Sequence, residues 1–350
     1  MIHTTMPTTR KTLGFFTRLL DDAGPAERYR LALEQIVHAE RMGLATAWVA
    51  QHHFDAAEGG LPAPLVFLAQ AAARTTRIRL GTGIITLPLD NPIRVAEDTA
   101  VLDLMSGGRL EVGVGPGGTP SSFTAFGHDN AERNEIFARY LAVLVDAWRG
   151  APIGGSPNRL YPPAPQLPGR VWQATFSVSG GRRAGAAGDG LMLSRTQPRT
   201  AEAPRATLAD IQDPIIDAYL AALPPGVAPR ILGSRSILVA DDRAEARGHA
   251  ETGLRRMLAR IREIGRPAAD GTLDEIIAAF DVHMGTVDEV IASLHRDTTL
   301  RRVTDVSMQV HSVDPPHPLI LRSIELFAHH VAPAMGWSQE TPTRAIRTGT

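Results

Sequence analysis

The chain has 350 residues, 43% of them hydrophobic, and its 36 basic side chains balance 37 acidic ones. This balance leaves no basic field that would attract nucleic acid or an anionic membrane surface. Because the sequence contains no cysteine, disulfides, thiol nucleophiles and cysteine-ligated metal sites are excluded. No segment approaches the ~20 consecutive apolar residues of a membrane helix, so we expect a cytoplasmic protein that does not enter the membrane.

Short apolar runs alternate with helical stretches along the whole chain. The runs predict eight strands, at residues 13–16, 45–50, 78–85, 110–115, 171–175, 190–193, 236–240 and 303–310. Strands that alternate with helices of about ten or more residues form parallel sheets, and eight such units predict a closed (β/α)8 TIM barrel, an α/β fold. An open, doubly wound sheet is the alternative. We expect one barrel domain over residues 1–334 and a polar C-terminal tail at residues 335–350.

Two adjacent histidines, His52 and His53, follow the second predicted strand in the segment WVAQHHF. The carboxyl end of a strand is where α/β folds keep their catalytic residues. Neighbouring strand residues point to opposite faces, so we expect only one of the two histidines to reach the barrel mouth, and the other to be a surface or packing residue. The pair lacks the H-x-H spacing or the convergence that a metal site needs, and we expect no metal.

Glycines are concentrated in and after the third and fourth predicted strands. Gly81 and Gly83 weaken a strand, which indicates a bulge, a bend or close approach by backbone or ligand. Gly113, Gly115 and Gly118 have the G-x-G-x-x-G spacing of a dinucleotide-binding turn, but prolines follow at once and the sequence predicts no helix before about residue 131. We therefore expect these glycines to leave room for a planar group over the barrel mouth.

The segment after the fifth predicted strand predicts an anion site. The amino end of a predicted helix carries Ser177, Ser179, Gly180 and Gly181. Free N–H groups and the helix dipole favour a phosphate at such an end, and Arg182 and Arg183 add positive charge within the first turn. An ordinary capped helix without a ligand is the alternative.

Two segments depart from the rhythm of strand and helix. Residues 150–169 contain six prolines and no periodicity, which predicts a long surface connection that could cover the barrel mouth. Residues 241–302 contain more helix than one crossover needs, at 244–264, 273–280 and 287–294, so we expect an insertion before the eighth strand. We expect the loops 117–130, 161–168 and 197–213 to form the substrate pocket, with His128, His283 and His311 at its border.

Four segments, in this order, resemble the bacterial luciferase-like flavin monooxygenases: WVAQHHF, GTGIITLPLDNPIRVAED, VLDLMSGGRLEVGVGPG and SVSGGRRAGAAGDG. The resemblance extends over nearly the whole chain. It implies a (β/α)8 barrel whose carboxyl-terminal mouth binds reduced flavin mononucleotide (FMN). It also implies that the flavin reacts with O2 through a C4a-hydroperoxide and oxygenates a small organic substrate.

The resemblance implies roles for individual residues as well. His52, the first histidine of the pair, matches the family's active-site histidine and would act as a general acid or base. The Gly83–Ile84 bond matches a position behind the flavin ring that can be a cis peptide. Arg195 matches a position beside the ring.

For the flavin phosphate, the resemblance points to Ser177 and to the backbone at Ser179 and Gly180. Luciferase itself has a phosphate-binding arginine after the fourth strand, but this chain has Pro116 there. One of three other arginines, Arg182, Arg183 or Arg195, would then meet the phosphate charge, or the phosphate would bind in a different pose.

The sequence carries no fingerprint for NADPH, so we expect reduced FMN to arrive from a separate flavin reductase, as in a two-component monooxygenase. Two alternatives remain open, namely hydride transfer with the deazaflavin F420, without oxygen, and flavin binding without turnover. Proteins of this superfamily commonly form dimers through helices beside the early strands, so the resemblance implies a homodimer.

Overall fold

The computed structural model describes residues 9–195, 197–200, 202–263, 271–310 and 315–338. The strands are β1 (Thr9–Arg10), β2 (Thr12–Thr17), β3 (Thr46–Val49), β4 (Arg79–Thr82), β5 (Ile85–Thr86), β6 (Leu110–Gly115), β7 (Val171–Ala174), β8 (Gly190–Leu193), β9 (Ile231–Val239), β10 (Val282–Gly285), β11 (Asp305–Gln309) and β12 (Trp337–Ser338). The helices are α1 (Pro25–Arg41), α2 (Pro64–Arg74), α3 (Pro92–Met105), α4 (Pro120–Ala125), α5 (Arg133–Trp148), α6 (Val178–Ala187), α7 (Leu208–Ala222), α8 (Arg243–Glu263), α9 (Leu273–Ala279), α10 (Val287–Arg296), α11 (His317–Leu326) and α12 (Ala332–Ala334). None of these described helices has the length and apolar character needed to cross a membrane.

Eight parallel strands close into a barrel, which confirms the predicted fold. Their order around the ring is β2, β3, β4, β6, β7, β8, β9 and β11, and β11 returns to β2. The register pairs Phe15 with Ala47 between β2 and β3, and Ser234 with Ser307 between β9 and β11. The open-sheet alternative is wrong, because β8 also pairs with β9 and closes the ring.

The seventh barrel strand, β9, is longer than the apolar pattern predicts. The strand begins at Ile231. The pattern starts it only at residue 236, because the polar residues Ser234 and Arg235 interrupt the apolar run. The second half of β9 pairs with β10, a ninth parallel strand outside the ring that the pattern does not predict. His283 and Gly285, which lie between the helices predicted at 273–280 and 287–294, are in that strand.

The expected insertion lies before the eighth barrel strand, and its helices α8, α9 and α10 are close to the predicted ones. A capping box starts α9: the Thr272 hydroxyl accepts the N–H of Glu275, and the Glu275 carboxylate accepts the N–H of Thr272. Thr207 and Asp210 form the same motif at the start of α7. The loop expected at residues 197–213 therefore ends at Leu208, the first residue of that helix.

Residues 150–169 lie at the amino end of the barrel and not over its mouth. Gln166 and Arg170 each donate a 2.7 Å hydrogen bond to Asp103 near the end of α3, and Asp103 also accepts the N–H of Leu110, the first residue of β6. The expectation that this connection covers the mouth is wrong, as is the assignment of its residues 161–168 to the substrate pocket. A helix that follows a strand runs back to the amino end, so the connection to the next strand must start there.

Two tryptophans fill the middle of the barrel. The rings of Trp48 and Trp172 are buried and meet edge to face, with centroids 5.7 Å apart. Below them, Trp172 Nε1 donates to Glu111 Oε2 at 2.7 Å. A Cβ on Gly81 would lie 2.2 Å from Trp48, so this glycine admits an indole and not a ligand. The same cluster continues toward the carboxyl ends of the strands with Phe16, Ile84, Ala174, Met192 and Leu232.

Two short elements are not predicted by the sequence pattern. Helix α4 starts two residues after Gly118, with Pro120 at its first position, although the pattern places no helix before about residue 131. Strand β12, at Trp337–Ser338, pairs with β1, so the expected tail begins with a paired strand. The tail residues 339–350 lie outside the described part of the chain.

Candidate active site

A cavity of about 670 Å³ opens at the carboxyl ends of the barrel strands. All eight strands contribute to its wall, either directly or through the residues that follow them. Its floor is formed by the upper side of the interior cluster, with Phe16, Ile84, Met192 and Leu232. A cavity of this size lies within the range of sites for small molecules and cofactors.

Both predicted histidines contribute to the cavity wall, so the expectation that only one reaches the mouth is wrong. Strand β3 ends at Val49, and the alternation of faces does not extend beyond the end of a strand. Gln51 holds the segment between strand and histidines in place. Its amide oxygen accepts the N–H of Thr86 at 2.7 Å, and its amide nitrogen donates to the carbonyl of Pro62 at 3.2 Å.

His52 is neutral over the physiological pH range. Burial, together with the positive charges of Arg18 and Arg195, lowers its pKa to about 3. Its Nδ1 lies 3.9 Å from Glu58 Oε2, and Gly59 makes room for the ring, because a Cβ there would lie 2.3 Å from the ring's Cδ2. A neutral imidazole can accept a proton at neutral pH, whereas an acid role through the imidazolium would need far lower pH. Of the two expected roles, the neutral ring is compatible with the general base, and the lowered pKa makes that base a weak one.

His53 belongs to an aromatic rim at the edge of the cavity. Its ring meets Phe126 edge to face with centroids 4.9 Å apart, and Phe54 lies 5.8 Å from both rings. Phe54 has a φ of 64° and is 76% exposed, so its backbone turns its ring outward at the rim. Burial lowers the pKa of His53. The packing interpretation therefore fits His53, although it also borders the cavity.

The wall on the β4 and β6 side is apolar and nearly free of side chains. The Gly83–Ile84 peptide bond is cis, at the position that the resemblance indicates. Gly83, Ile84 and Gly115 line the cavity, and a Cβ on Gly115 would lie 2.7 Å from Ile84 Cδ1. Gly113 is not in the wall. A Cβ there would lie 2.0 Å from the Thr82 carbonyl oxygen. Close packing inside the barrel therefore explains this glycine, without the ligand contact that was expected.

The amino end of α6 brings one of its four predicted residues into the wall. Ser177 lines the cavity and caps the helix, its hydroxyl accepting the N–H of Gly180 at 3.1 Å. Ser179 Oγ lies 3.1 Å from Ser177 Oγ but is outside the wall. Gly180 and Gly181 are buried, and a Cβ on Gly181 would lie 2.5 Å from the Ile215 carbonyl oxygen of α7. Gly181 thus packs against α7, Gly180 packs against Thr175, and neither glycine lines the cavity.

Two of the three arginines expected at the phosphate are directed elsewhere. Arg183 donates to Gln173 Oε1 at 2.9 Å and lies over the ring of Phe137, 4.8 Å from its centroid. Arg182 is exposed and outside the cavity wall. Arg195 lines the cavity and donates to Ser236 Oγ at 3.3 Å.

Of the three histidines expected to border the pocket, two lie elsewhere. His128 is not in the wall, and His283 is buried on the outer strand β10, with its Nδ1 2.9 Å from Ser293 Oγ. His311 lies outside the described residues.

Several polar residues of the wall escaped the sequence analysis, among them Arg18, Arg133, Ser234 and Gln309. Within the described part of the chain, Ser234 Oγ and Gln309 Nε2 are buried and have no hydrogen-bond partner. Strand alternation could have placed Ser234 on the inner face with Leu232, but only once β9 is known to begin at Ile231.

The family model for luciferase-like monooxygenases matches residues 12–302 of this chain. The chain belongs to this family. The match runs from the start of β2 to a point just before β11, so the part that it shares with other luciferase-like monooxygenases includes seven barrel strands and every predicted site residue except His311.

Three curated relatives show how the similarity is distributed. Protein y4vJ of Sinorhizobium fredii is 26% identical over 330 residues, which cover 87% of this chain and 91% of that protein. The 4-hydroxyprotoasukamycin monooxygenase of Streptomyces nodosus subsp. asukaensis is 40% identical over 112 residues, 32% of this chain and 30% of the relative. The oxygenase component of flavin-dependent trigonelline monooxygenase from Acinetobacter baylyi is 28% identical over 138 residues, 38% and 37% of the two chains. The chain thus spans only about a third of the last two relatives.

Solved structures extend the likeness over the whole barrel. Monooxygenase RslO1 from Streptomyces bottropensis is 28% identical with a TM-score of 0.76, and the match covers 92% of this chain and 99% of that one. The oxygenating constituent of 3,6-diketocamphane monooxygenase from Pseudomonas putida, solved with FMN, has a TM-score of 0.72 at 18% identity. The match covers 94% of this chain and 100% of that one. An F420-dependent secondary alcohol dehydrogenase has a TM-score of 0.67 at 19% identity, and the match covers 93% of this chain and 99% of that one. At these low identities, the last two structures show only that the fold is shared.

Proposed function

We propose that this luciferase-like monooxygenase is the oxygenase component of a two-component system. It takes up reduced FMN from a separate flavin reductase and uses O2 to oxygenate a small organic molecule. One observation carries the proposal: a single cavity at the barrel mouth combines a flat apolar wall, a cationic end and a neutral imidazole. The oxygenase component of trigonelline monooxygenase among its relatives, and the FMN bound to a protein of the same fold, support it.

The flat wall fits a planar ring. Gly83 and Gly115 present no side chain toward the cavity, and Ile84 between them offers an apolar surface. The Cβ positions of the two glycines are filled by side chains that also line the cavity, Phe16 at 2.6 Å from Gly83 and Ile84 at 2.7 Å from Gly115, so these side chains and the glycines form the wall together. The bound reduced flavin would supply the electrons that activate oxygen, and these residues would hold its ring against the wall.

The phosphate end lies around the end of β7. Helices α5 and α6 precede and follow this strand, and both have their amino ends at the barrel mouth, where helix dipoles favour an anion. Ser177 caps α6, and Arg133 is the first residue of α5; both line the cavity. Arg133 therefore supplies the charge for which luciferase uses an arginine at the position of Pro116. Unlike Arg183, Arg133 lines the cavity, and its Nη1 donates to the Asn130 carbonyl at 2.8 Å.

His52 would move a proton next to the ring. Its Nδ1 faces Glu58, so Nε2 is the atom that accepts a proton from the substrate. Arg18 and Arg195 favour negative charge beside the imidazole and so stabilise the anion that remains.

The test compares cofactors and chemistries in one protein. We expect reduced FMN to bind and to support oxygen consumption with an oxygenated product, and reduced F420 to bind more weakly and to transfer no hydride. Hydride transfer with F420, without uptake of oxygen, would replace the proposal with the F420-dependent alternative. Flavin binding with neither reaction would favour a non-catalytic protein.

We further propose that the protein is a homodimer that associates through α3. Three apolar side chains on one face of this helix are exposed: Val101 by 45%, Leu104 by 60% and Met105 by 64%. Exposed apolar patches of this kind mark interfaces. We expect sedimentation to give twice the chain mass of 37.6 kDa and Leu104→Glu to give the monomer; a monomeric wild type would refute this.

A further inference from the structure

Ser234 and Gln309 are buried polar residues that face the cavity without a partner. Ser234 is 7% exposed and Gln309 2% exposed, and both line the cavity. Among the described residues, neither Ser234 Oγ nor Gln309 Nε2 has a hydrogen-bond partner. Leaving such groups unpaired in a protein interior costs free energy, so their presence indicates that a ligand completes them.

The two residues lie next to each other on the wall. Strands β9 and β11 are neighbours, and the register pairs Ser234 with Ser307, two residues before Gln309. Both residues therefore face inward on adjacent strands, one step apart along the barrel axis. Apolar residues flank them on both sides, since Leu232 on β9 and Phe16 on β2 also line the cavity.

This polar pair faces the proposed flavin wall across the barrel. In the ring of eight strands, β9 is four strands from β4, which leads into Gly83, and β11 is four strands from β6, which ends at Gly115. The pair is thus on the side opposite the ring-binding wall. A ligand atom that reaches it belongs to the molecule that shares the cavity with the flavin.

We propose that Ser234 and Gln309 bind a carbonyl oxygen of the substrate. Both unpartnered atoms can donate a hydrogen bond, from the serine hydroxyl and the glutamine amide nitrogen, and a carbonyl oxygen accepts two. The flanking Phe16 and Leu232 suit an apolar body. The substrate is therefore an apolar ketone or a closely related carbonyl compound. This inference rests on the proposed function, because the flavin position defines which side is left for the substrate.

The test uses two probes of one carbon skeleton, 1-tetralone with a carbonyl group and tetralin without it. Their affinities for the full-length protein with oxidised FMN are measured by isothermal titration or ligand-observed NMR. We expect 1-tetralone to bind at least about tenfold more tightly than tetralin, and the double variant S234A/Q309M to bind both equally. Equal affinities in the wild type, a preference that survives in the double variant, or no binding of either probe would overturn the inference.

Two controls separate the alternatives. Ser307 is also buried with an unpartnered hydroxyl but lies outside the cavity wall, so Ser307→Ala should leave the preference for 1-tetralone unchanged.

Gln309→Met removes a buried amide and should raise the melting temperature by roughly 1 to 3 °C. A melting temperature below that of the wild type would indicate a structural role for the amide. If the double variant does not fold, Ser234→Ala alone must reduce the preference. Failure of the proposed function would show separately, as absence of FMN binding before any probe is added.

Discussion

Trp48 and Trp172 meet edge to face at 82° beneath the cavity, and each indole occupies space that a glycine leaves open. A Cβ on Gly81 would lie 2.2 Å from Trp48, and a Cβ on Gly190 would lie 2.3 Å from Trp172. The level of the cavity floor therefore depends on two glycines that do not line the cavity. It also depends on the close packing of large rings, which tolerates little added volume.

Replacing Gly81 with alanine should destabilise the barrel. The added methyl group meets the rigid Trp48 ring, and overpacking of this kind costs about 1 to 3 kcal/mol of unfolding free energy, measured by urea denaturation. Gly248→Ala is the matched control, because Gly248 lies in α8 with nothing within 4 Å of its Cβ. That change should raise the stability by about 0.5 to 1 kcal/mol through helix propensity. An equal effect of the two substitutions would contradict the packing of Trp48.

Replacing His52 with alanine should lower turnover about 100-fold or more and change FMN affinity less than about threefold. The imidazole would lie beside the reacting groups, while the flavin would be held mainly by the wall of Gly83, Ile84 and Gly115 and by the phosphate end. Steady-state rates and flavin titrations measure the two effects. An unchanged rate would remove His52 from the mechanism.

His52 should also contribute to the pH dependence of stability. Its pKa is about 3 in the folded protein and near 6.5 in the unfolded chain, so between these values the unfolded state binds more protons. The contribution is therefore present above about pH 6.5 and is lost as the pH falls toward 3. Urea denaturation from pH 7 to 4 should show a shallower decline for His52→Gln than for the wild type. Parallel curves would show that the imidazole is protonated normally in the fold.

Replacing Arg133 with glutamine should weaken FMN binding about tenfold, because a charge-assisted hydrogen bond to the phosphate is lost. Riboflavin has the same ring without the phosphate, so its affinity should stay within about twofold in a parallel fluorescence titration. Arg182→Gln, on an exposed side chain of α6 outside the cavity wall, is the control and should leave both affinities unchanged. Equal losses for FMN and riboflavin would assign Arg133 to the ring or to the fold.

Arg235 should be needed for stability and not for binding. It is fully buried and donates to Asp297 Oδ2 and to Gln212 Oε1, and despite burial the positive charge of Arg235 holds the pKa of Asp297 below its usual range. Arg235→Ala would remove the main positive partner of that buried carboxylate and cost about 3 to 5 kcal/mol. Arg30→Ala, which breaks an exposed pair with Glu27, should cost less than about 1 kcal/mol. Urea denaturation of both variants measures the difference, and similar values would argue against a buried ion pair.

The barrel could be predicted because most of its strands are short runs rich in apolar residues. Residues 110–115 form such a run, and β6 has those bounds. The pattern failed at β9, where Ser234 faces the cavity and Arg235 faces a buried aspartate on the outside. Each polar residue there has a partner or a proposed function that only the folded chain reveals, so an apolar count starts the strand too late.

The place of a residue in the cavity wall could be predicted where its position at the end of a strand determines it. It could not be predicted where contacts with other parts of the fold determine it. His52 follows β3 and lines the cavity, as expected. Gly180 and Gly181 were assigned to a ligand, but Thr175 and the backbone of α7 fill the space beside them. A sequence does not distinguish a glycine that admits a ligand from one that admits a helix. Arg133 was missed for a related reason, because its place at the mouth follows from where α5 begins.

A crystal structure of the protein with FMN tests the central claim most directly. We expect the flavin ring on the wall formed by Gly83, Ile84 and Gly115, with its phosphate in hydrogen-bond contact with Ser177 and Arg133 and with His52 beside the ring. A flavin ring lying against Ser234 and Gln309, or a phosphate bound away from the end of β7, would contradict the account.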